Sequence, residues 1–134
     1  GLLDLYEATG STEHLLFADR LQKRQNDLFH DPVDGGYFCS PADDPHLLVR
    51  MKDVQDGAEP SASGVTLANL LRLGAVFDDV REDYLKMAEG IVDGTGELLA
   101  KGGQAVGTTI ASMWLLEKGF KQVRTQKSLR GLPR

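Results

Sequence analysis

Apolar residues recur at three- and four-residue steps through most of this chain, and that spacing places them on one face of an α-helix. A short opening helix is predicted to end at Gly10. A second is predicted to end before Asp31-Pro32, because the residue preceding a proline avoids the helical region. Helical spacing returns after Pro60, and no strand–helix alternation accompanies it. The sequence therefore predicts a mainly α fold of about five helices, each packed against another helix.

The helical spacing also predicts which side chains are buried. The second helix begins at Ser11 or Thr12, where a hydroxyl can cap free backbone N–H groups, and its charged face, including Asp19, should meet water. Asp79 is a candidate cap for a later helix. Met113 and Trp114 on the last helix have core spacing, which favours packing over a cofactor role. The predicted buried positions are Leu2, Leu5, Tyr6, Leu15, Ala18, Leu21, Gln25, Leu28, Val65, Ala68, Leu71, Ala75, Val80, Tyr84, Met87, Ile91, Val106, Thr109, Ile110, Met113 and Trp114.

A long irregular stretch separates the second helix from Pro60, and irregular segments of this length in compact domains are usually functional or disordered. A glycine turn at Gly35-Gly36 leads into the aromatic pair Tyr37-Phe38. The aromatic pair either anchors the loop on the core or forms a stacking wall for a sugar ring, and anchoring is favoured. Together with the apolar run of Leu47, Leu48, Val49 and Met51, the pattern predicts a short extended hairpin around 36–51.

Charge and composition argue against several kinds of partner and cofactor. The formal net charge is −5 and the predicted folded part holds no basic block, which argues against nucleic acid. No apolar run approaches the roughly 18 residues that a membrane span needs. Cys39 is the single cysteine of the chain, so an internal disulfide is excluded, and a reducing, cytoplasmic setting is predicted. The Cys39 side chain is predicted to be packed and inert. His14, His30 and His46 lack a metal-ligand spacing, so neither a metal nor another cofactor is predicted.

The two ends of the chain carry their own expectations. The first residue is Gly1, and the chain enters directly into an apolar helical pattern, as an internal piece of a longer protein would. Residues 121–134 are basic with little apolar support, which predicts a poorly ordered tail.

The stretch KDVQDGAEPS, residues 52–61, concentrates acidic side chains in front of a helix. Asp53, Asp56 and Glu59 could divide into a general acid and a general base, since burial and hydrogen bonding move carboxyl pKa values in opposite directions. The alternative is a helix entry, in which Glu59 caps a helix whose first residue is Pro60. In that case Asp56-Gly57 is a turn and Lys52 could neutralise Asp56. The residues alone leave both interpretations open, and the helix entry is favoured.

Three segments together resemble a known family: LLDLYEATG, DLFHDPVDGGYFCS and VRMKDVQDGAEPSASGVTLANLLRL. They are similar to the C-terminal helical region of the spermatogenesis-associated protein 20 family, whose members also carry an N-terminal thioredoxin-like domain. The resemblance covers residues 1–75 and is weaker beyond them. It implies a partial (α/α)6 toroid, like six-hairpin glycosidases and sugar epimerases, over residues 1–120. It also implies that the family's redox motif belongs to the thioredoxin-like domain rather than to Cys39.

The resemblance further implies a cavity mouth, lined by Tyr37, Phe38, Arg50, Asp53, Asp56, Glu59 and Ser61. Where the family usually has an asparagine, this chain has Ser63, which removes a two-sided hydrogen-bonding group. The favoured hypothesis is a non-catalytic, cavity-forming fragment that contacts the remainder of a full-length protein. A second hypothesis is a carbohydrate-active site of epimerase, isomerase or hydrolase type. In it, the three carboxylates supply the acid and base, Arg50 orients the sugar hydroxyls, and Tyr37 or Phe38 stacks on the sugar ring. A third is a protein-interaction module that uses exposed apolar faces.

Overall fold

The computed structural model describes residues 1–118, and six α-helices occupy most of that range. A 3-10 turn at Asp78–Val80 leads into the fourth helix, and another at Gln104–Val106 leads into the sixth. The predicted mainly α class is confirmed. The predicted tail, 121–134, lies outside the described residues. The helices are α1 Leu2–Thr9, α2 Thr12–Phe29, α3 Ala62–Val76, α4 Arg81–Gly94, α5 Gly96–Ala100 and α6 Gly107–Lys118.

The predicted boundary between α1 and α2 is confirmed. Gly10 is left-handed at φ 68°, and its N–H donates to the Tyr6 carbonyl at 2.8 Å, which ends α1. Ser11 precedes α2 in an extended conformation, but its hydroxyl makes no capping hydrogen bond. The prediction of a hydroxyl cap at this residue is therefore wrong. Val80 rather than Asp79 occupies the position before α4, because the 3-10 turn moves the helix start along the chain.

Helix α3 is the centre of the core. It packs against α4 and α6 and also contacts α2. Its leucines Leu67, Leu70, Leu71 and Leu73 are all buried, whereas Val65, a predicted core position, is 43% exposed. The prediction of a single stripe is wrong for this helix, because neighbours on several sides bury more than one face.

The crossing of α3 and α6 is close because its contact residues are small. A Cβ atom added at Gly64 would lie 2.8 Å from Thr108 Cγ2, and the buried Thr109 and Ser112 belong to the same helix as Thr108. A close approach leaves no room for large side chains, so α6 directs Trp114 outward at 59% exposure. The predicted burial of Trp114 is wrong for this reason, although Met113 packs partly against the core.

The buried face of α2 includes the polar side chains of Asp19 and Gln22. Asp19 is only 2% exposed, with Lys23 Nζ at 2.9 Å and the Tyr84 hydroxyl donating to it at 3.2 Å. Leu21, predicted to be buried, is 50% exposed, and Asp19, predicted to meet water, is enclosed. Both predictions are wrong: the face of α2 that carries Asp19 is turned inward, and the tyrosine and lysine partners offset the cost of burying the carboxylate.

The predicted hairpin around 36–51 is also absent from the described structure. Tyr37 forms an isolated antiparallel bridge with His30, and the Cys39 N–H donates to the Met51 carbonyl at 2.7 Å. Leu48 is fully exposed. Between the two runs the backbone makes local turn contacts instead: the Leu47 N–H donates to the Asp44 carbonyl at 3.4 Å, and the His46 N–H donates to Asp44 Oδ1 at 3.0 Å. Cys39 itself is exposed, which corrects its predicted packing. Within residues 1–118, every helix is too short or too polar to cross a membrane.

Candidate functional site

The loop of residues 52–61 lies between the first turns of α3 and α6, and Asp56 joins them. Asp56 Oδ1 accepts the Ser61 N–H at 2.8 Å, and Oδ2 accepts the Thr108 N–H at 2.7 Å. The Asp56 N–H donates to the Ala105 carbonyl at 2.6 Å. Free N–H groups at helix starts carry partial positive charge, so they suit a carboxylate. One side chain therefore connects two helices that are distant in the sequence.

The same contacts define the charge of Asp56. The backbone N–H groups of Ser61 and Thr108 lower the pKa of its carboxyl group below the usual range, against a smaller opposing effect of partial burial. Asp56 is consequently ionised near neutral pH, with both oxygens occupied as acceptors. This arrangement suits a helix cap and disfavours a proton donor.

The start of α3 uses serines rather than the predicted glutamate. Ser61 is 1% exposed, and its hydroxyl accepts the Gly64 N–H at 3.2 Å as the N-cap. The predicted cap at Glu59 with Pro60 as first helical residue is wrong, since α3 begins two residues after Pro60. A short serine hydroxyl can reach the free N–H groups at this position.

The other two carboxylates of the loop have a different environment from Asp56. Asp53 contributes its backbone carbonyl, which accepts the Ser63 hydroxyl at 2.6 Å and the Ser63 N–H at 3.2 Å. Glu59 likewise contributes its carbonyl, to the Gly57 N–H at 3.0 Å. Asp53 and Glu59 are both exposed. The structure thus engages one of the three predicted acid–base carboxylates and leaves the other two in contact with solvent.

Arg50 and Phe38 form a second group. The guanidinium carbon of Arg50 lies 3.8 Å from the Phe38 ring centroid, a cation–π geometry. Arg50 Nη2 also donates to the Ser40 carbonyl at 2.8 Å and to the Leu28 carbonyl at 3.3 Å. Lys52 Nζ lies 5.1 Å from the same ring. Through these hydrogen bonds, Arg50 connects the loop to the end of α2. Its guanidinium group covers one face of the Phe38 ring.

Tyr37 anchors the loop in the core, as the favoured interpretation predicts. It is 4% exposed, and its hydroxyl donates to Asn26 Oδ1 at 2.6 Å. Its ring meets His30 edge to face with centroids 5.4 Å apart. Burial raises the pKa of the Tyr37 hydroxyl far above its usual range, so this group stays protonated.

Asp31 and Lys52 form an ion pair that the sequence patterns did not predict. Lys52 Nζ lies 2.7 Å from Asp31 Oδ2 and donates to the Gly35 carbonyl at 2.5 Å, so Lys52 does not neutralise Asp56 as predicted. Asp31 Oδ1 accepts the N–H groups of Val33 and Asp34 at 2.9 and 3.2 Å. The hydrogen bond from Lys52, followed by that from Val33, lowers the pKa of Asp31 to about 2. An aspartate directly before a proline signals such a turn, but no local pattern identifies the lysine.

Removal of the Lys52 amine tests this ion pair. In Lys52→Met we expect the pKa of Asp31 to rise from about 2 toward the ordinary value of about 3.9. The rise should be partial, because two backbone N–H groups remain. Since the folded-state pKa is depressed, the stabilisation is present above about pH 4 and is lost as pH falls through about 2. Carboxyl-carbon NMR across a pH titration measures the shift, and an unchanged Asp31 pKa in the variant would contradict the pairing.

Among the described residues, no group of three or more histidine, cysteine, aspartate or glutamate side chains is placed to hold a metal ion.

The described residues thus form a mainly helical segment in which an acidic loop joins the starts of α3 and α6. Parts of known proteins are similar to it in sequence. The chain is 58% identical to spermatogenesis-associated protein 20 of Mus musculus over 74 residues, which is 54% of this chain and 9% of that protein. The human protein of the same name is 57% identical over the same length. Uncharacterized protein B0495.5 of Caenorhabditis elegans is 40% identical over 98 residues, 73% of this chain and 13% of that protein.

The chain thus resembles part of spermatogenesis-associated protein 20, as the sequence motifs predicted. It spans about a tenth of the length of the curated relatives that it matches. No protein-family model matches the chain. No solved structure matches it either.

Proposed function

We propose that this chain is a fragment of the α/α-toroid domain of a thioredoxin-domain-containing protein, in which it shapes a cavity and performs no catalysis of its own. The similarity to about a tenth of spermatogenesis-associated protein 20 supports a role as one piece of a longer polypeptide. The partner is then the remainder of the full-length protein, including a thioredoxin-like domain, and the setting is the cytoplasm.

One observation carries the non-catalytic role: both carboxylate oxygens of Asp56 accept backbone N–H groups from the starts of α3 and α6. An acid–base pair needs a carboxyl group that can take up and release a proton near the working pH. The hydrogen bonds to Asp56 instead lower its pKa and stabilise its charge. Phe38 has one ring face covered by Arg50, which leaves less of it for stacking on a sugar. The loop is therefore suited to hold helices around a cavity.

Sugar binding is the test of this proposal. Amide 15N–1H spectra of the full chain are recorded with glucose, mannose and N-acetylglucosamine, and we expect no saturable shifts between residues 37 and 61. Asp53→Asn and Glu59→Gln should each change the free energy of unfolding by less than about 0.5 kcal/mol, as exposed substitutions do. Saturable shifts in the loop that disappear in Glu59→Gln, with the fold intact, would replace this proposal with a carbohydrate-active site.

A further inference from the structure

An apolar groove opens between α4, α5 and α6, away from the acidic loop. This open groove has a volume of about 700 Å³, and its apolar lining includes Val92, Ile110, Met113 and Trp114. Trp114 is 59% exposed and Ile110 is 44% exposed, so two large apolar side chains on one helix share this surface. Single exposed apolar residues are normal, but a contiguous apolar surface containing tryptophan and methionine is typical of an interaction site.

The rim of the groove is acidic. Glu89, Asp93 and Glu117 are exposed around the apolar lining, and no lysine or arginine is among the described residues that line the groove. Glu117 has the neighbouring Lys118 at 3.8 Å, a loose pair between two exposed side chains that neutralises little of the rim. A partner that fits must therefore present apolar side chains to the apolar lining and positive charge to the rim.

We propose that this groove binds a basic amphipathic helix of a partner polypeptide, with an apolar stripe that is flanked by lysine or arginine. Helices dock in grooves through apolar side chains spaced three and four residues apart. The tryptophan supplies a rigid, large contact area of the kind that dominates binding energy. The carboxylates at the rim attract positively charged side chains that flank the apolar stripe of the partner helix, and this attraction raises the association rate.

The probe is a synthetic peptide of about 18 residues, long enough to form a helix, with leucines on one face and lysines elsewhere. Trp114 is the sole tryptophan of the chain, so its fluorescence reports on the groove directly. We expect a saturable blue shift when the peptide covers the indole. A peptide with glutamate in place of lysine, and one with the same leucines and lysines but no apolar stripe, should each bind at least roughly tenfold more weakly.

Matched variants distinguish the groove from general attraction to a negatively charged protein. Glu89→Lys combined with Asp93→Lys should reverse the preference toward the leucine–glutamate peptide. Glu82→Lys combined with Asp83→Lys makes the same change of charge on the same helix outside the groove, and it should preserve the original preference. Circular dichroism confirms that each variant remains helical. Three results would overturn the proposal. They are an equal loss of binding in both double variants, equally tight binding of the peptides with and without the apolar stripe, and an unchanged Trp114 fluorescence spectrum.

Discussion

Replacement of Gly35 by alanine is expected to lower the free energy of unfolding by about 2–4 kcal/mol. Gly35 has φ +70°, and a Cβ atom added there would lie 2.8 Å from the Cα atom of Gly90 in α4. The obstructing atom belongs to backbone, so a side-chain rotation cannot relieve the contact. The left-handed conformation adds its own cost for any residue with a Cβ atom. Chemical denaturation, followed by circular dichroism, measures the loss.

Two other glycines separate the contributions to that loss. Gly10 has a nearly identical φ of +68°, but a Cβ atom there would meet nothing within 4 Å. Gly10→Ala should therefore show the conformational cost alone, about 1–2 kcal/mol. Gly57→Ala, with an open environment and no positive φ, should be close to neutral. A loss at Gly35 no larger than the loss at Gly10 would show that the loop and α4 do not approach as closely as described.

Asp56→Ala is expected to lower the free energy of unfolding by roughly 2–4 kcal/mol, since two helix starts each lose a charged acceptor. The N–H groups of Ser61 and Thr108 would need new partners, and Ser61 is buried, where water replaces a carboxylate poorly. Asp56→Asn should have a smaller effect, because its amide oxygen can still accept one of the two hydrogen bonds. Urea denaturation near neutral pH measures both variants against Glu59→Ala, an exposed carboxylate from the same loop.

The contribution of Asp56 also has a defined dependence on pH. Its pKa is lower in the folded chain than in the unfolded chain, so the unfolded state binds a proton first as pH falls. The stabilisation is fully present above the unfolded value, about 3.9, and is lost as pH falls through the folded value. The difference in stability between wild type and Asp56→Ala should therefore shrink in acid. A difference that stays constant from pH 7 to pH 2 would contradict an ionised cap.

The helices were largely predictable from sequence because each depends on local signals. Gly10 and the Asp31-Pro32 break mark real boundaries, and Tyr84 and Ile91 occupy the buried face of α4 as predicted. Burial was less predictable where a helix has several neighbours, as Val65 shows, or where polar side chains pair, as Asp19 shows. Those outcomes depend on which surfaces meet, and a single helical pattern contains no information about its partners.

In the acidic loop, too, local features were predictable from the sequence, and contacts between distant residues were not. The sequence predicted that DGAEPS leads into a helix, and α3 does begin at Ala62, but its cap is Ser61 rather than the predicted Glu59. It could not assign a role to Asp56, because one of its partners, Thr108, is 52 residues away. Nor could it pair Lys52 with Asp31, 21 positions earlier by their residue numbers.

By itself, the sequence determined the helical class, the main helix boundaries and the resemblance to part of spermatogenesis-associated protein 20, since spacing, turn residues and motifs are properties of the chain. Only the tertiary structure decided that Asp56 caps two helices, that Lys52 neutralises Asp31, and that Trp114 lies in an open groove. Each of these outcomes depends on the relative placement of elements distant in sequence. Hydrogen bonds and ion pairs act over a few ångströms, so their partners are known only when the chain is folded.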